Sequence, residues 1–581
     1  MRAMLKGIAA SDGVVCGHVF RYSEPDLSIT KRSITNLDHE LNRFHQALEA
    51  AVSEVEMIKT RATKNLGADS AQVFSAHIAM LQDPEFIKSV EDEIARQRCN
   101  AEAALATVVT DYGASLAKLT DNPYMQERIT DLHDISKRVT AHLLGIKLPD
   151  LALLDRPVIV VTHDLIPSDT VSVDAKYILG FVTDLGGRTS HSSILARSLN
   201  IPAVVGTQTA TADLATDEMV IIDGTTGSVI SEPTAAEIAT AKQAMADRQA
   251  NRVRLAKLRH HQTVTKDGIG VTLAANMGTA NDIPSVLDNG AEAVGLMRTE
   301  FLYMDAERVP TEDEQFAIYR QVVSALAPRP VVIRTLDIGG DKPLPYLHQA
   351  PEANPFMGER AIRQSLAHQP LFRSQLRALI RASAYGHLRI MFPMIATLDE
   401  FRQAKAIYDD ERSKLTTAQV PMGKIDVGMM VEVPAAAMLA DRFAQEVDFM
   451  SIGTNDLIGY AMAADRTNQD VAYLYQPYHP AVLRLVDRIV RAGHAAGIPV
   501  AMCGEMAGDP IAVPILLGIG LDEFSMGAGS ILKTRQLMGT LNVHELQSLA
   551  DTVLNSTSTS QEVITMVQAA VPGINDDGTF A

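Results

Sequence analysis

Two arginines, four carboxylates and a thiol stand at the ends of short apolar runs, and their types point to chemistry on a small anion. Arg298, Arg334 with Asp337, Glu432, Asn455 with Asp456, and Cys503 with Glu505 each close such a run, as does Asn276. Arginine presents a planar fork of donors that matches carboxylate and phosphate oxygens. Arg360, Arg363, Lys342 and Arg466 lie in adjoining segments and can extend the positive site. Glu432 and Asp456 are hard oxygen ligands of the kind that hold Mg²⁺ together with waters and substrate phosphates. The set fits a small, doubly anionic phosphate ester bound with Mg²⁺. Cys503 can give a proton to, or take one from, a carbon beside a metal-bound carbonyl. The plain alternatives are a surface ion-pair network for the set and an inert buried thiol for Cys503.

A second constellation is GGRTSHSSILARSLNIPAVVG, residues 186–206. Gly186 and Gly187 form a turn, and a helix start is expected over 189–199, where unpaired N–H groups favour anions. His191 falls in its first turn, among Thr189, Ser190, Ser192 and Ser193. A neutral imidazole is a nucleophile, and a phosphoryl group formed on it would meet the hydroxyls and the helix N-terminus. A structural histidine is the alternative.

Positioning the first group requires strands that end together. From residue 264 onward, eight apolar runs alternate with helical patterns: 271–277, 291–298, 331–337, 388–394, 427–434, 448–456, 498–505 and 522–526. Such alternation is what a buried parallel sheet requires, and eight units predict a (β/α)₈ barrel with its site at the strand ends. Positioning His191 needs a separate α/β domain. Strands are expected over 4–21 and 157–230, with a helical block of residues 33–145 inserted after the first hairpin. In that block Leu37, Leu41, Phe44, Leu48, Val52, Val55 and Ile58 recur at spacings of three and four, on one helix face. Residues 233–260 predict a helix of about 42 Å between the two halves. The expected division is thus 1–32 with 146–230, 33–145, a linker 231–262, and a barrel 263–581.

The 581 residues carry a net charge of −18, which disfavours binding to nucleic-acid backbones. The three cysteines form no zinc or disulfide pattern, which suits a reducing compartment. The N-terminus lacks a signal-peptide core, and the longest apolar run, Val513–Leu521, is far too short to span a bilayer. A cytoplasmic protein without direct membrane insertion is expected. GxxxxGK[ST], GxGxxG and HExxH do not occur, so nothing suggests an ATP or NAD site.

With VGLMRTEFLYM, RTLDIGGDKPLPY, NPFMGERAIR, LRIMFPM, VEVPAA, SIGTNDLIGY and MCGEMAGD added to the histidine segment, the chain resembles enzyme I of the phosphoenolpyruvate:sugar phosphotransferase system over residues 3–550. FSAHIAMLQDPEF and ITDLHDISKRV look like that family's docking segments for the phosphocarrier HPr. The resemblance implies that phosphoenolpyruvate binds with Mg²⁺ at the barrel mouth and phosphorylates His191. His191 then passes the group to a histidine of HPr. It also implies that Arg298, Arg334 and Arg360 hold the substrate, that Asn455 and Arg466 contact it, and that Glu432 and Asp456 bind Mg²⁺. Cys503 would protonate enolpyruvate, and Thr170 would support the histidine. A homodimer through the barrel is implied too. The chain departs from the family at Glu359, at Ile458 and Gly459, and at Gly527-Ala528-Gly529. An added carboxylate at Glu359 is expected to weaken phosphate binding. A nitrogen-type regulatory relay or a pyruvate, phosphate dikinase-like enzyme is the alternative. The first usually adds an N-terminal sensory domain, and the second a large ATP-binding domain that the helical block is too short to supply.

Overall fold

Residues 4–21 do not form a hairpin. They make three strands, β1 (Met4–Lys6), β2 (Ile8–Ser11) and β3 (Val14–Tyr22), that pair with different partners. With β4 (Val158–Thr162), β5 (Ile178–Thr183), β6 (Ala203–Val205), β7 (Met219–Asp223) and β8 (Ser228–Ser231) they build one mixed sheet of order β1-β8-β7-β3-β4-β5-β6-β2. β1 and β2 are opposite edges, yet only Gly7 separates them in the chain, so the sheet is rolled until its edges nearly meet. Gly7 is required there: a Cβ would lie 2.6 Å from the carbonyl oxygen of Val205. Sequence periodicity cannot report such closure, because both edges read as ordinary strands.

This computed structural model describes residues 4–575 and 580, except 23–26, 67–71, 118–122, 147–150, 152–153, 165–174, 188–189, 191, 194–195, 198–200, 305, 307, 340–345, 347–351, 466–467 and 469. His191, Thr170, Arg466 and Lys342 lie outside the described residues. The chain forms two compact units, Met1–Ala250 and Asn251–Ala581.

In the first unit β4 shows why the central strands read as unbroken apolar runs. Val158 and Val160 pack with Phe181 on one face, while Ile159 and Val161 pack with Val182 and Ile222 on the other. Between β3 and β4 come five helices, α1 (Leu37–Leu66), α2 (Gln72–Leu81), α3 (Pro84–Gln97), α4 (Ala101–Ala117) and α5 (Pro123–Leu144). Their own core joins Phe44, Leu48 and Val55 of α1 to Val90 and Ile94 of α3, Leu105 of α4 and Val139 of α5. Local signals set the ends of α3: the Asp83 side chain accepts from the amides of Glu85 and Phe86, Pro84 opens the helix, and Arg98 closes it at φ 49°. A helix also spans Ala235–Ala256, shorter at its C-terminal end than expected because residues 257–260 turn.

In the second unit all eight expected runs become strands: β9 (Thr272–Met277), β10 (Ala293–Met297), β11 (Val331–Arg334), β12 (Leu388–Phe392), β13 (Ile425–Val431), β14 (Met450–Ile452), β15 (Val500–Met502) and β16 (Glu523–Gly527). Every neighbouring pair is parallel and β16 closes onto β9, giving a (β/α)₈ barrel. Leu296, Val332, Met391, Met430, Phe449 and Cys503 fill its interior.

Candidate functional site

The strand ends gather around one cavity of about 160 Å³, lined by Arg298, Arg334, Asp337, Arg360, Glu432, Asn455, Asp456 and Cys503, with Leu296, Phe356, Met430, Gly453 and Gly504. Arg298 follows β10, Arg334 ends β11, Glu432 follows β13 and Cys503 follows β15. Asn455 and Asp456 belong instead to the first turn of the helix Thr454–Met462, one residue beyond the exit of β14 at Gly453. Among the described residues, the expected group therefore converges at the C-terminal mouth. Three flagged residues do not line it. Arg363 bonds the carbonyls of Met357 and Gly358 at 2.9 and 3.0 Å. Asn276 ties the Cys503 carbonyl (3.0 Å) to Ser525, whose hydroxyl donates to it at 2.6 Å. Glu505 is exposed, and its amide donates to Asn455 Oδ1 at 3.3 Å.

The arginine forks are already engaged. Arg334 Nη2 lies 2.6 Å from Glu300 Oε1 and Nη1 2.9 Å from Asp337 Oδ2. Arg360 Nη2 reaches Asp337 Oδ1 at 3.0 Å and Asp456 Oδ2 at 3.2 Å. Burial works against these charges, but Glu300 and Asp337 around Arg334, and Asp337 and Asp456 around Arg360, hold both firmly protonated. The Nε atoms of Arg334 and Arg360 are buried without a hydrogen-bond partner, which leaves donors for an incoming oxyanion. Glu300 was not singled out in the sequence. The acidic first residue of a short helix reads as an N-terminal preference, and only the fold turns it toward Arg334.

The carboxylates are held in tension. Glu432 is 2% exposed and accepts the Met394 amide at 2.6 Å through Oε1. Burial first, then the negative charges of Asp456 and Asp337, push its carboxyl up against the pull of Arg334 and Arg360. Its Oε2 lies 2.7 Å from where a Cβ on residue 453 would sit, so Gly453 leaves that oxygen its space. Among the described residues no three His, Cys, Asp or Glu side chains are arranged to hold a metal. Two crowded carboxylates fit a small hard cation that completes its shell with substrate and water oxygens. Cys503 is 4% exposed at the cavity floor, and burial pushes its thiol up to about 11.

None of the residues that depart from the family pattern is among those lining the cavity. Glu359 points its carboxylate toward His368, at 3.8 Å, and its amide donates to Glu352 at 2.9 Å. Ile458 is packed in the barrel core.

In the first unit, Gly186 takes φ 104°, and a Cβ there would sit 2.9 Å from Ser190 Oγ. Ser190 donates to Ser193 Oγ at 3.0 Å, and Ser193 donates to the Gly187 carbonyl at 2.7 Å. Ser192, Ser193, Ala196 and Arg197 are helical. At the ends of β4 and β5, His163 Nδ1 meets the buried Asp184 at 3.3 Å. Burial pushes the Asp184 carboxyl up, but the Thr211 hydroxyl and amide outweigh that and hold it below its usual value.

Three family models match consecutive parts of the chain. They are described as PEP-utilising enzyme, N-terminal, over residues 6–128; PEP-utilising enzyme, mobile domain, over 154–227; and PEP-utilising enzyme, PEP-binding domain, over 252–543. The phosphoenolpyruvate-protein phosphotransferase of Listeria monocytogenes is 53% identical over 569 residues, covering 98% of this chain and 99% of that one. The protein of the same name from Latilactobacillus sakei is 52% identical over 562 residues, 96% of this chain and 97% of its own. That of Bacillus subtilis is 51% identical over 565 residues, 97% and 99% respectively.

Proposed function

Because the chain belongs to the phosphoenolpyruvate-protein phosphotransferase family, we propose that it moves the phosphoryl group of phosphoenolpyruvate onto its own His191, then onto a histidine of HPr, and releases pyruvate. The observation that carries this reading is the convergence of Arg298, Arg334, Arg360, Glu432, Asp456 and Cys503 on one cavity.

The arginines bind the three phosphate oxygens and stabilise the charge that shifts as the P–O bond breaks. Removing one such donor typically costs on the order of 10²–10³ in rate. Asn455 and Arg466 orient the carboxylate end. Glu432 and Asp456 would hold Mg²⁺, which when bound supplies positive charge against the phosphate and the enolate oxygen. An imidazole nitrogen of His191 takes the phosphoryl group, and the enolate of pyruvate leaves. Cys503 holds its proton at Sγ, since its thiol is pushed to about 11, and delivers it to C3; solvent returns a proton to sulfur. Thr170 supports His191. Phosphohistidine keeps a high-energy N–P bond, which suits onward transfer to the imidazole of HPr. HPr docks on the α1–α5 bundle, and two chains pair through their barrels. No helix among the described residues is long and apolar enough to cross a membrane, and the three free cysteines suit a cytoplasmic enzyme.

The test is incubation with labelled phosphoenolpyruvate and Mg²⁺, with and without HPr. Acid-labile, base-stable label is expected on the wild type, absent from His191→Gln, and transferred to HPr when it is added. Full labelling of His191→Gln would overturn the assignment.

A further inference from the structure

Gln375 lies on the helix Gln369–Ala382, outside the cavity and fully buried. Its neighbours on the buried face are apolar: Phe372, Leu376 and Leu379. A buried amide costs stability unless it is hydrogen-bonded, so the destinations of its bonds define its role. Oε1 accepts the Leu336 amide at 3.0 Å. Nε2 donates to Thr299 Oγ1 and to the Tyr319 hydroxyl, both at 3.2 Å. Thr299 in turn donates to the Arg334 carbonyl at 3.0 Å. One side chain thus grips the residue after Arg298 and the residue two beyond Arg334.

The grip continues on the cavity side. Glu300 Oε1 receives both Arg334 Nη2 at 2.6 Å and the Asp337 amide at 3.1 Å. The ends of β10 and β11 are thereby joined twice, through Thr299 to the main chain of Arg334 and through Glu300 to its guanidinium. The outer support is itself satisfied: Tyr319 and Tyr303 donate to Gln315 Oε1 at 3.3 and 3.0 Å. An apolar residue at 375 would fill the same space but leave the Leu336 amide and the Thr299 and Tyr319 hydroxyls without this partner.

We propose that Gln375 is a positioning residue for phosphoryl transfer, setting the spacing of the Arg298 and Arg334 segments through Thr299 and Leu336. This rests on the reading that Arg334 holds the substrate phosphate. A misplacement of about 1 Å at such a group costs on the order of 10²-fold in rate.

The experiment is a double-mutant cycle on the full chain. The rate of phosphoryl transfer from phosphoenolpyruvate is measured for wild type, Gln375→Leu, Arg334→Lys and the double variant, with thermal unfolding followed in parallel. Gln375→Leu is expected to lower kcat/KM by about 10²-fold in the wild type and by little in Arg334→Lys, whose fork is already lost. An equal loss in both backgrounds, or a lower melting temperature with kcat/KM unchanged, would overturn the proposal. If Arg334→Lys alone leaves kcat/KM unchanged, the assignment of Arg334 fails, and the proposal falls with it by a distinct signature. Should Gln375→Leu not fold, Thr299→Val, which removes only the connecting hydroxyl, goes through the same cycle with the same criteria.

Discussion

Met394 sits in the left-handed region at φ 54° and from there donates its amide to Glu432 Oε1 at 2.6 Å. A left-handed backbone costs a non-glycine residue roughly 1–2 kcal/mol, and here it directs an N–H at a proposed metal ligand. Met394→Gly should therefore keep transfer activity, because glycine adopts this conformation freely. It should lose about 2–5 kcal/mol of stability from the emptied side-chain site, since Met394 is fully buried. Met394→Ile, β-branched and ill suited to positive φ, should lower the transfer rate while refilling much of that space. Rates and urea unfolding of the pair check this, and a Met394→Gly enzyme as slow as Met394→Ile would refute it.

Arg360 is the only arginine among the described residues whose guanidinium bridges Asp337 and Asp456. Arg360→Met preserves length and removes the charge, leaving both carboxylates without that partner. Stability should fall by about 3 kcal/mol or more, and labelling by phosphoenolpyruvate should fall by on the order of 10²-fold. Denaturant unfolding and label incorporation measure the two separately. A stable variant with normal labelling would show the bridge to be incidental.

Cys503 should be slow to alkylate at pH 8, because its thiol is pushed from 9.0 to about 11 chiefly by burial. Half-buried Cys16 should react first. The folded state holds this proton more tightly than the unfolded chain. Its contribution to stability is therefore complete below about pH 9 and disappears as pH rises through about 11. Cys503→Ala should abolish that alkaline decline and still permit His191 phosphorylation. In deuterated water it should deliver deuterium to both faces of C3 rather than one. Unchanged stereochemistry would assign the acid to another group.

A fragment of residues 1–250, the first compact unit, should exchange phosphoryl groups with phosphorylated HPr but take no label from phosphoenolpyruvate. Every described residue lining the barrel cavity lies beyond it. Labelling of the fragment by phosphoenolpyruvate at the full-chain rate would contradict the assignment of substrate binding to the barrel.

The barrel was legible because strands buried on both faces cannot alternate. Runs such as Val427–Val433 carry few polar residues until they exit, and what most of them carry at the exit lines the cavity. Arg298, Arg334, Glu432 and Cys503 were found that way. Asp456 was singled out by the same logic but stands on a helix, since the strand ends at Ile452 and Gly453 caps the helix Thr454–Met462. Long-range pairing left no such signal. Nothing local distinguishes Glu300 from a helix-starting acid, or Gln375 from a polar slip on an amphipathic face. The roll of the first sheet was hidden too, because it depends on the pairing of β1 and β2 with strands about 200 residues away.

The parallel pairing of β3 with β4 has a consequence for protein engineering. Antiparallel neighbours can be rejoined by a two-residue turn, but parallel neighbours need a crossover of about a dozen residues or more. The five helices between Tyr22 and Val158 are that crossover. Cutting them out and sealing the ends with a short Gly-Ser link would leave β4 unable to reach its register with Val19 and Phe20. Replacing them with a single helix and two loops would not. What fills the gap between β3 and β4 is open to change, but the gap itself has to stay filled.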